Sequence, residues 1–154
     1  MRVESKSETN QSLADVYLRE NKLDEALARL EDARTFSPQN VNVVGSLANL
    51  YNKKGDHPTA IEEAQKALVI DPLKAAAYQA LSYAYFKIQN YAQAEAKALK
   101  GLEVVSEDPS LLFSYKSYFI KQLNYILADI YMVQGNQEKE AQYRKAGDGA
   151  MLTK

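Results

Sequence analysis

The sequence predicts an all-α protein built from stacked pairs of antiparallel helices, and three observations support this fold class. The first is an internal repeat with a period of 34 residues. The second is the spacing of apolar residues at i, i+3, i+4 and i+7, which is typical of one face of a helix. The third is the placement of glycine and proline, which lie at the ends of the predicted helices.

The repeat is visible when the sequence is aligned with itself at a shift of 34 residues. Three columns keep one residue type in all three units: Leu13, Leu47 and Leu81; Tyr17, Tyr51 and Tyr85; Ala26, Ala60 and Ala94. A fourth column keeps small residues, Ala33, Ala67 and Gly101. Agreement of this kind without gaps is typical of a stacked repeat array, in which each unit buries its apolar face on its neighbours.

Each unit is predicted to contain two helices, and the second unit shows this most clearly. Its first helix has an apolar face and is expected to end at Gly55, which can adopt the left-handed conformation that closes many helices. Its second helix starts near Pro58, because proline is tolerated in a first turn. It ends before Pro72, whose ring disfavours helical geometry at Asp71.

A 34-residue unit of two helices with alternating small and large residues resembles the tetratricopeptide repeat. The resemblance implies a right-handed superhelical array of antiparallel helix pairs, an α-solenoid. We place three repeats at 7–40, 41–74 and 75–108, after a flexible N-terminus at 1–6.

The period breaks after the third repeat. Leu127 and Tyr131 reproduce Leu81 and Tyr85 at a spacing of 46 residues, so the segment 109–120 is an insertion. The apolar positions continue in helical register through this insertion. We therefore expect the region 109–154 to form an extended helix, at about 110–134, followed by a degenerate fourth repeat or capping helix.

Composition excludes several classes of function. With 19 basic and 20 acidic residues the chain lacks the basic excess of nucleic-acid-binding proteins, and we expect no nucleic acid partner. No apolar run approaches the ~18 residues of a membrane span, and we expect no membrane insertion. The N-terminus lacks the apolar core of a signal peptide, which indicates a cytoplasmic protein if the chain is complete.

The residues needed for catalysis are scarce. There is no cysteine and a single histidine, His57, which is expected to be a packing residue. Acidic neighbours such as Glu62 and Glu63 are expected on outward helix faces, with Glu62 paired to Lys66. We therefore expect a protein without enzymatic activity, cofactor or metal.

A binding groove is expected along the faces of the first helices that point away from the core. Its predicted side chains are amide-rich and partly aromatic, which suits an extended peptide. The candidate contact residues are Asp15, Arg19, Asn42, Asn49, Asn52, Gln79, Tyr83, Phe86, Tyr125 and Asp129. The function predicted from this face is an adaptor or scaffold that binds a peptide or a partner helix.

One peptide class is not expected. Tetratricopeptide co-chaperones hold the C-terminal carboxylate of Hsp70 or Hsp90 with cationic and amide side chains. The matching positions in this chain are Gln11, Asp15, Ser46, Ala76 and Ala80. None of them carries positive charge, so the clamp is absent and Hsp70 and Hsp90 tails are unlikely partners.

The insertion offers a second surface, because the start of its helix is apolar on nearly every side. Its candidate residues are Leu111, Phe113, Tyr118 and Phe119. Burial against the third repeat and the C-terminal tail is one interpretation. The alternative is a homodimeric, self-assembly module driven by the long helix, and a lesser alternative is a secretion-type chaperone of the tetratricopeptide class.

Overall fold

The structure, a computed structural model, describes residues 3–109 and 111–150, with side chains from residue 5 onward. These residues form eight α-helices and no strand, which confirms the predicted all-α fold class. They divide into two compact units, one up to Pro72 and one from Leu73 onward.

The first unit contains two helix pairs. Its helices are α1 (Val3–Arg19), α2 (Leu23–Phe36), α3 (Val41–Lys54) and α4 (His57–Ile70). The second unit also contains two pairs. Its helices are α5 (Ala75–Lys87), α6 (Tyr91–Glu107), α7 (Phe113–Val133) and α8 (Gln137–Gly149).

Two helices begin at positions that differ from the prediction. Helix α1 begins at Val3, inside the segment 1–6 that was expected to be flexible. Its first turns are held by α2, since Ser7 Oγ donates to the Ala33 carbonyl at 3.2 Å and the Lys6 ammonium lies 5.5 Å from the Phe36 ring centroid. Residues 1 and 2 lie outside the described residues.

Helix α7 begins at Phe113 and not near residue 110. Leu112 precedes it with φ −58° and ψ 143°, an extended conformation that ends the helical path. Ser110 lies outside the described residues.

The turn inside each pair uses a left-handed residue at the same register. The predicted left-handed conformation of Gly55 is confirmed, with φ 83°. The equivalent residues also have positive φ: Asn21 at 57°, Gln89 at 63° and Gly135 at 73°. Glycine, asparagine and, with more strain, glutamine satisfy this requirement, which explains why only two of the four positions are glycine.

Three of the four second helices begin with a capping side chain at one register. Asp56 accepts a hydrogen bond from Thr59 N at 3.2 Å, Asn90 from Gln93 N at 3.3 Å, and Asn136 from Lys139 N at 3.1 Å. These bonds satisfy backbone donors that have no partner within the helix. They fix where the second helix starts.

The core of the first unit lies between α1, α2 and α3. Its fully buried residues are Ala14, Ala26, Leu30, Ala33, Val43, Leu47 and Leu50. The alanines of the second helices let the backbones approach closely, as the sequence predicts: Ala60, Ala64 and Ala67 on α4 are also fully buried.

A core cluster of the second unit lies between α5, α6 and α7. Ala94, Ile126 and Ile130 are buried there, and tyrosines and Phe86 of α5 and α6 pack against them. The closest approach is at Gly101, where an added Cβ meets Tyr78 Cβ and Leu123 Cδ1, each at 3.0 Å. This glycine therefore lets α6 pack against both α5 and α7.

The contrast between Gly101 and Gly45 gives a stability prediction. We expect Gly101→Val to lower the free energy of unfolding by about 2 kcal/mol, because overpacking at a close helix contact forces the neighbours apart. Gly45→Ala should raise it by about 0.5–1 kcal/mol, because an added Cβ there meets no atom within 4 Å and alanine favours the helix. Thermal unfolding followed by circular dichroism measures both, and equal shifts for the two variants would contradict the packing described at Gly101.

Candidate functional site

Three positions recur on the outward faces of the first helices α1, α3, α5 and α7. In chain order the first contains Gln11, Gly45, Gln79 and Tyr125; the second contains Asp15, Asn49, Tyr83 and Asp129; the third contains Arg19, Lys53, Lys87 and Val133. Six of the ten predicted groove residues occupy the first two positions, and Arg19 occupies the third. The structure shows that these seven residues have different environments.

In the first unit, the predicted residues on α1 and α3 are accessible, with one exception. Asp15, Arg19 and Asn42 are exposed and Asn49 is half-buried. Asn42, Gly45 and Asn49 lie at i, i+3 and i+7 on one face of α3. We call these three residues the α3 face.

Asn52 is the exception, and its predicted place in the groove is wrong. It is only 8% exposed, and its Oδ1 lies 3.1 Å from Nδ1 of His57 at the start of α4. In the next repeat the equivalent residues, Phe86 and Tyr91, form a ring contact with centroids 5.8 Å apart. In both repeats these two positions form a contact between the first and second helix of a pair. His57 therefore has a packing role.

In the second unit, Tyr83 is the predicted residue best placed for contact. It is half-buried against the cluster of Ala94, Ile126 and Ile130, and the Lys87 ammonium lies 5.3 Å from its ring centroid. Gln79, one turn earlier, is half-buried as well. Phe86 packs on the same cluster, but its ring is shared with Tyr91.

Tyr125 and Asp129 are engaged by α8 and do not form part of an open groove. The Tyr125 hydroxyl donates to Asp148 at 2.5 Å, and an added Cβ at Gly147 would lie 2.8 Å from the Tyr125 ring. Arg144 Nη2 donates to Asp129 at 3.1 Å. The sequence feature that accounts for these contacts is in α8, which lacks the regularly spaced alanines of the other second helices.

Helix α8 replaces that alanine stripe with charged residues. The positions of Ala94 and Ala98 on α6 are Glu140 and Arg144 on α8, and these two are bonded at 3.0 Å. Because Arg144 is too long to be buried like alanine, it reaches across to the carboxylate on α7. The last pair is thus held by polar contacts, and whether α8 is a degenerate fourth repeat or a capping helix stays a prediction.

A tyrosine cluster completes the contact of α7 and α8. The rings of Tyr131 and Tyr143 stack with centroids 5.5 Å apart, and the Lys139 ammonium lies 4.6 Å from the Tyr131 centroid. The Tyr131 hydroxyl donates to Glu95 of α6. Burial, together with this bond and the charge of Glu95, raises the pKa of Tyr131 to about 12.

Sequence reasoning missed a buried carboxylate on α4. Glu63 is only 5% exposed, and its Oε1 accepts from Arg34 at 3.1 Å and from Lys66 at 2.8 Å. The expected pairing of Lys66 with Glu62 on an outward face is therefore wrong. Glu63 Oε2 is buried and has no hydrogen-bond partner among the described residues.

The Glu63 cluster lies next to a repeat tyrosine. Burial, followed by the charges of Glu31 and Glu63, raises the pKa of Tyr51. Arg34 also binds Glu31 at 2.6 Å and so links two carboxylates. The one feature of the sequence that pointed to burial of Glu63 was its position next to Ala64, one of the buried alanines of α4.

The second predicted surface, on α7, is partly exposed. Phe113 and Tyr118 are 58% and 51% exposed, whereas Leu111 and Phe119 are half-buried. The rings of Tyr118 and Phe119 meet edge to face with centroids 5.3 Å apart. Phe113 and Tyr118 are therefore not covered by the third repeat, and residues 151–154 of the C-terminal tail lie outside the described residues.

The described part of the chain holds no group of three or more histidine or acidic side chains arranged to bind a metal ion. Within the same residues, no helix has the length and apolar character of a membrane-crossing segment.

Comparison with known proteins gives a consistent result. The family model described as tetratricopeptide repeat matches residues 12–75 and 46–111. A search of curated proteins found no match.

Solved structures with the same fold cover most of the chain. The first TPR of Spaghetti (RPAP3), bound to the HSP90 peptide SRMEEVD, has a TM-score of 0.72 at 17% identity and covers 86% of this chain and 95% of that one. MamA has a TM-score of 0.70 at 16% identity, with coverage of 95% and 78%. The Sgt2 TPR domain from Aspergillus fumigatus has a TM-score of 0.64 at 23% identity, with coverage of 94% and 83%.

The Glu63 cluster predicts a large cost for removing its arginine. We expect Arg34→Ala to lower the free energy of unfolding by about 2 kcal/mol, because the buried Glu63 carboxylate then keeps only its bond to the exposed Lys66. The double variant Arg34→Ala/Glu63→Leu should recover at least half of this loss, since no buried charge remains. Urea denaturation measures both variants.

The matched control is Arg29→Ala, whose ion pair with Asp32 lies at the surface with both side chains at least 40% exposed. Its cost should stay below about 1 kcal/mol. A double variant as unstable as Arg34→Ala alone would show that the buried carboxylate is not the cause.

The Tyr131 hydroxyl predicts a loss of stability at high pH. Its pKa of about 12 in the folded chain lies above the value near 10 expected after unfolding. Because the folded state holds this proton more tightly, the contribution is complete below pH 10 and is lost as the pH rises from about 10 to about 12. Melting temperatures across this range should fall less steeply for Tyr131→Phe than for the unsubstituted chain, and equal slopes would contradict this contribution of Tyr131.

Proposed function

We propose that this chain, which belongs to the tetratricopeptide repeat family, is a non-enzymatic adaptor that binds an extended peptide or partner helix on its first helices. Proteins of this family are protein–protein interaction modules. The observation that carries the finer proposal is the α3 face, where Gly45 lies between Asn42 and Asn49. Gly45 itself is buried, but an added Cβ there meets no atom within 4 Å, so the protein leaves the space beside it unfilled for a ligand backbone.

The amides beside Gly45 suit a peptide backbone. An asparagine side chain offers both a donor and an acceptor, as each peptide unit does. Such bonds hold a peptide whatever its sequence, while Asp15 and Arg19 on α1 add charged contacts. The α3 face therefore supports recognition of an extended segment.

In the second unit, Tyr83 supports an apolar contact of its own. Its ring is fixed on one side by the core cluster, and Lys87 lies over it. A half-buried aromatic ring loses little conformational freedom on binding, which makes it an effective anchor. Gln79, one turn earlier, supplies an amide beside this anchor.

The proposed peptide is not one held by a terminal carboxylate. The structure of Spaghetti (RPAP3) contains an HSP90 peptide, but at 17% identity its likeness extends to the fold alone. In this chain Asp15 is exposed at a clamp position and Ala80 is fully buried at another. We infer that Hsp70 and Hsp90 tails are not its ligands.

Self-assembly through α7 is the second candidate function, and exposed Phe113 and Tyr118 are the observations in its favour. It makes a different prediction in solution, a species larger than the 17.3 kDa chain. A secretion-type chaperone is a narrower form of the adaptor, in which the bound peptide is a segment of an exported protein.

Binding of selected peptides tests the adaptor proposal. Extended peptides selected from a random library on the immobilised chain should bind Asn49→Ala and Tyr83→Ala about tenfold more weakly by calorimetry, a loss of about 1.4 kcal/mol for each variant. Gly45→Leu should weaken binding similarly by filling the space for the backbone. The melting temperature of Asn49→Ala should change by less than about 4 °C. Tyr83→Ala loses packing on the core cluster, so circular dichroism must show that it is folded at the temperature of the binding measurement.

Glu62→Ala, on the exposed side of α4, is the control and should leave binding unchanged. Selected peptides that bind every variant with equal affinity would contradict the proposed contacts.

A further inference from the structure

The first turns of α7 form the most exposed apolar surface that the structure describes. Four large side chains are accessible there: Leu112 at 66%, Phe113 at 58%, Tyr115 at 56% and Tyr118 at 51%. They lie within eight residues, from Leu112 to Phe119, which we call the α7 N-terminal segment. Single exposed apolar residues are ordinary, but a contiguous group marks an interaction site.

The segment is exposed because its partner helix is too short to cover it. Helix α7 has 21 residues and α8 has 13. Their contact at that end is made by Gly147, which lies against the Tyr125 ring and the Lys121 carbonyl, and α8 ends at Gly149. In α7, Tyr115, Tyr118 and Tyr125 are spaced i, i+3 and i+10 and share one side of the helix. The tyrosine row therefore continues beyond the end of α8.

The segment is not needed to complete a repeat. It belongs to the insertion 109–120, which has no counterpart in the first three repeats. The buried residues of α7 all lie later, from Leu123 to Tyr131. Its exposed aromatics therefore have no described packing role.

The charge of this region has one sign. Between Pro109 and Ala128 the sequence contains Lys116 and Lys121 and no acidic residue. Among the described residues, no carboxylate lies within ion-pair distance of Lys116. The apolar surface is therefore bordered by positive charge.

We propose that the α7 N-terminal segment docks an amphipathic helix of a partner protein, whose apolar residues are flanked by aspartate or glutamate. The apolar side chains of that helix cover Tyr115 and Tyr118 and extend the row that α8 begins, whereas Phe113 lies on the opposite side of α7. Its carboxylates pair with Lys116, which fixes its orientation. This contact is separate from the α3 face and does not depend on it.

A second copy of the chain fits the segment less well. A two-fold contact between identical surfaces brings Lys116 of both copies into one interface, and the sequence between Pro109 and Ala128 has no carboxylate to neutralise them. The Asp148 carboxylate, at the other end of the tyrosine row, already accepts from Tyr125. An anionic membrane also fits less well. Two lysines and a segment of eight residues fall short of the long, strongly basic helices that bind at membrane surfaces.

The experiment uses two synthetic 16-residue helical probes with the same leucine and phenylalanine face. Glutamate fills the remaining positions of one probe, and lysine fills them in the other. Fluorescence anisotropy with the full chain should show that the acidic probe binds at least about tenfold more tightly than the basic probe. Tyr118→Asp should weaken the acidic probe about tenfold, and Lys116→Glu should reverse the preference between probes.

Two variants keep the test specific. Val69→Asp changes an apolar residue that is 85% exposed in the first unit and should have no effect. Asn49→Ala should also leave the acidic probe unaffected, so failure here is distinguishable from failure of the proposed peptide contact. Circular dichroism melting confirms that Tyr118→Asp remains folded, and Tyr118→Ser replaces it if it does not.

Several results would overturn the proposal. Equal affinity for both probes, or no binding of the acidic probe at 1 mM, would contradict recognition of the docked helix by its charge. Light scattering that shows a dimer broken by Tyr118→Asp would make a second copy the occupant. Tyr118-dependent binding to phosphatidylserine vesicles would show that the occupant of the segment is a membrane surface. A tenfold gain in affinity for the acidic probe on deleting residues 151–154 would show that the occupant is the C-terminal tail.

Discussion

The close approach of helices at small residues is the constraint on which the rest of this structure depends. Alanine or glycine recurs along the second helices, and at Gly101 even one methyl group would touch two neighbouring helices at 3.0 Å. Because the small residues must face the neighbouring helix, the residues on the other side of each helix must point away from the core. The outward positions of the first helices, where binding is proposed, follow from that spacing.

Two departures from the apolar repeat bring charge into contacts between helices. In the first unit Glu63 is buried beside the alanine stripe and depends on Arg34 and Lys66. In the last pair Glu140 and Arg144 occupy positions that are alanine in α6. The first joins α4 to α2 through the Arg34–Glu63 bond, and the second engages Asp129 and Tyr125 in contacts with α8.

The two exposed surfaces differ in chemistry and in origin. The α3 face is part of the repeat and offers amides and an open backbone position at Gly45. The α7 N-terminal segment is an insertion and offers aromatic rings bordered by lysine. A chain with both surfaces is suited to hold an extended peptide and a helix independently, which is a useful arrangement for an adaptor.

The sequence by itself determined the fold class, the family, the helix pairs and the left-handed turn at Gly55, because these depend on periodicity and local conformation. It also predicts Asn49, Tyr83 and the apolar start of α7 as contact positions, which the proposals above carry forward. Only the tertiary structure decided which outward side chains are engaged: Asn52 by His57, Asp129 by Arg144, and Glu63 by Arg34. These contacts join residues on different helices, and their partners are set by how far each side chain reaches across a helix pair, which a pattern along one helix does not contain.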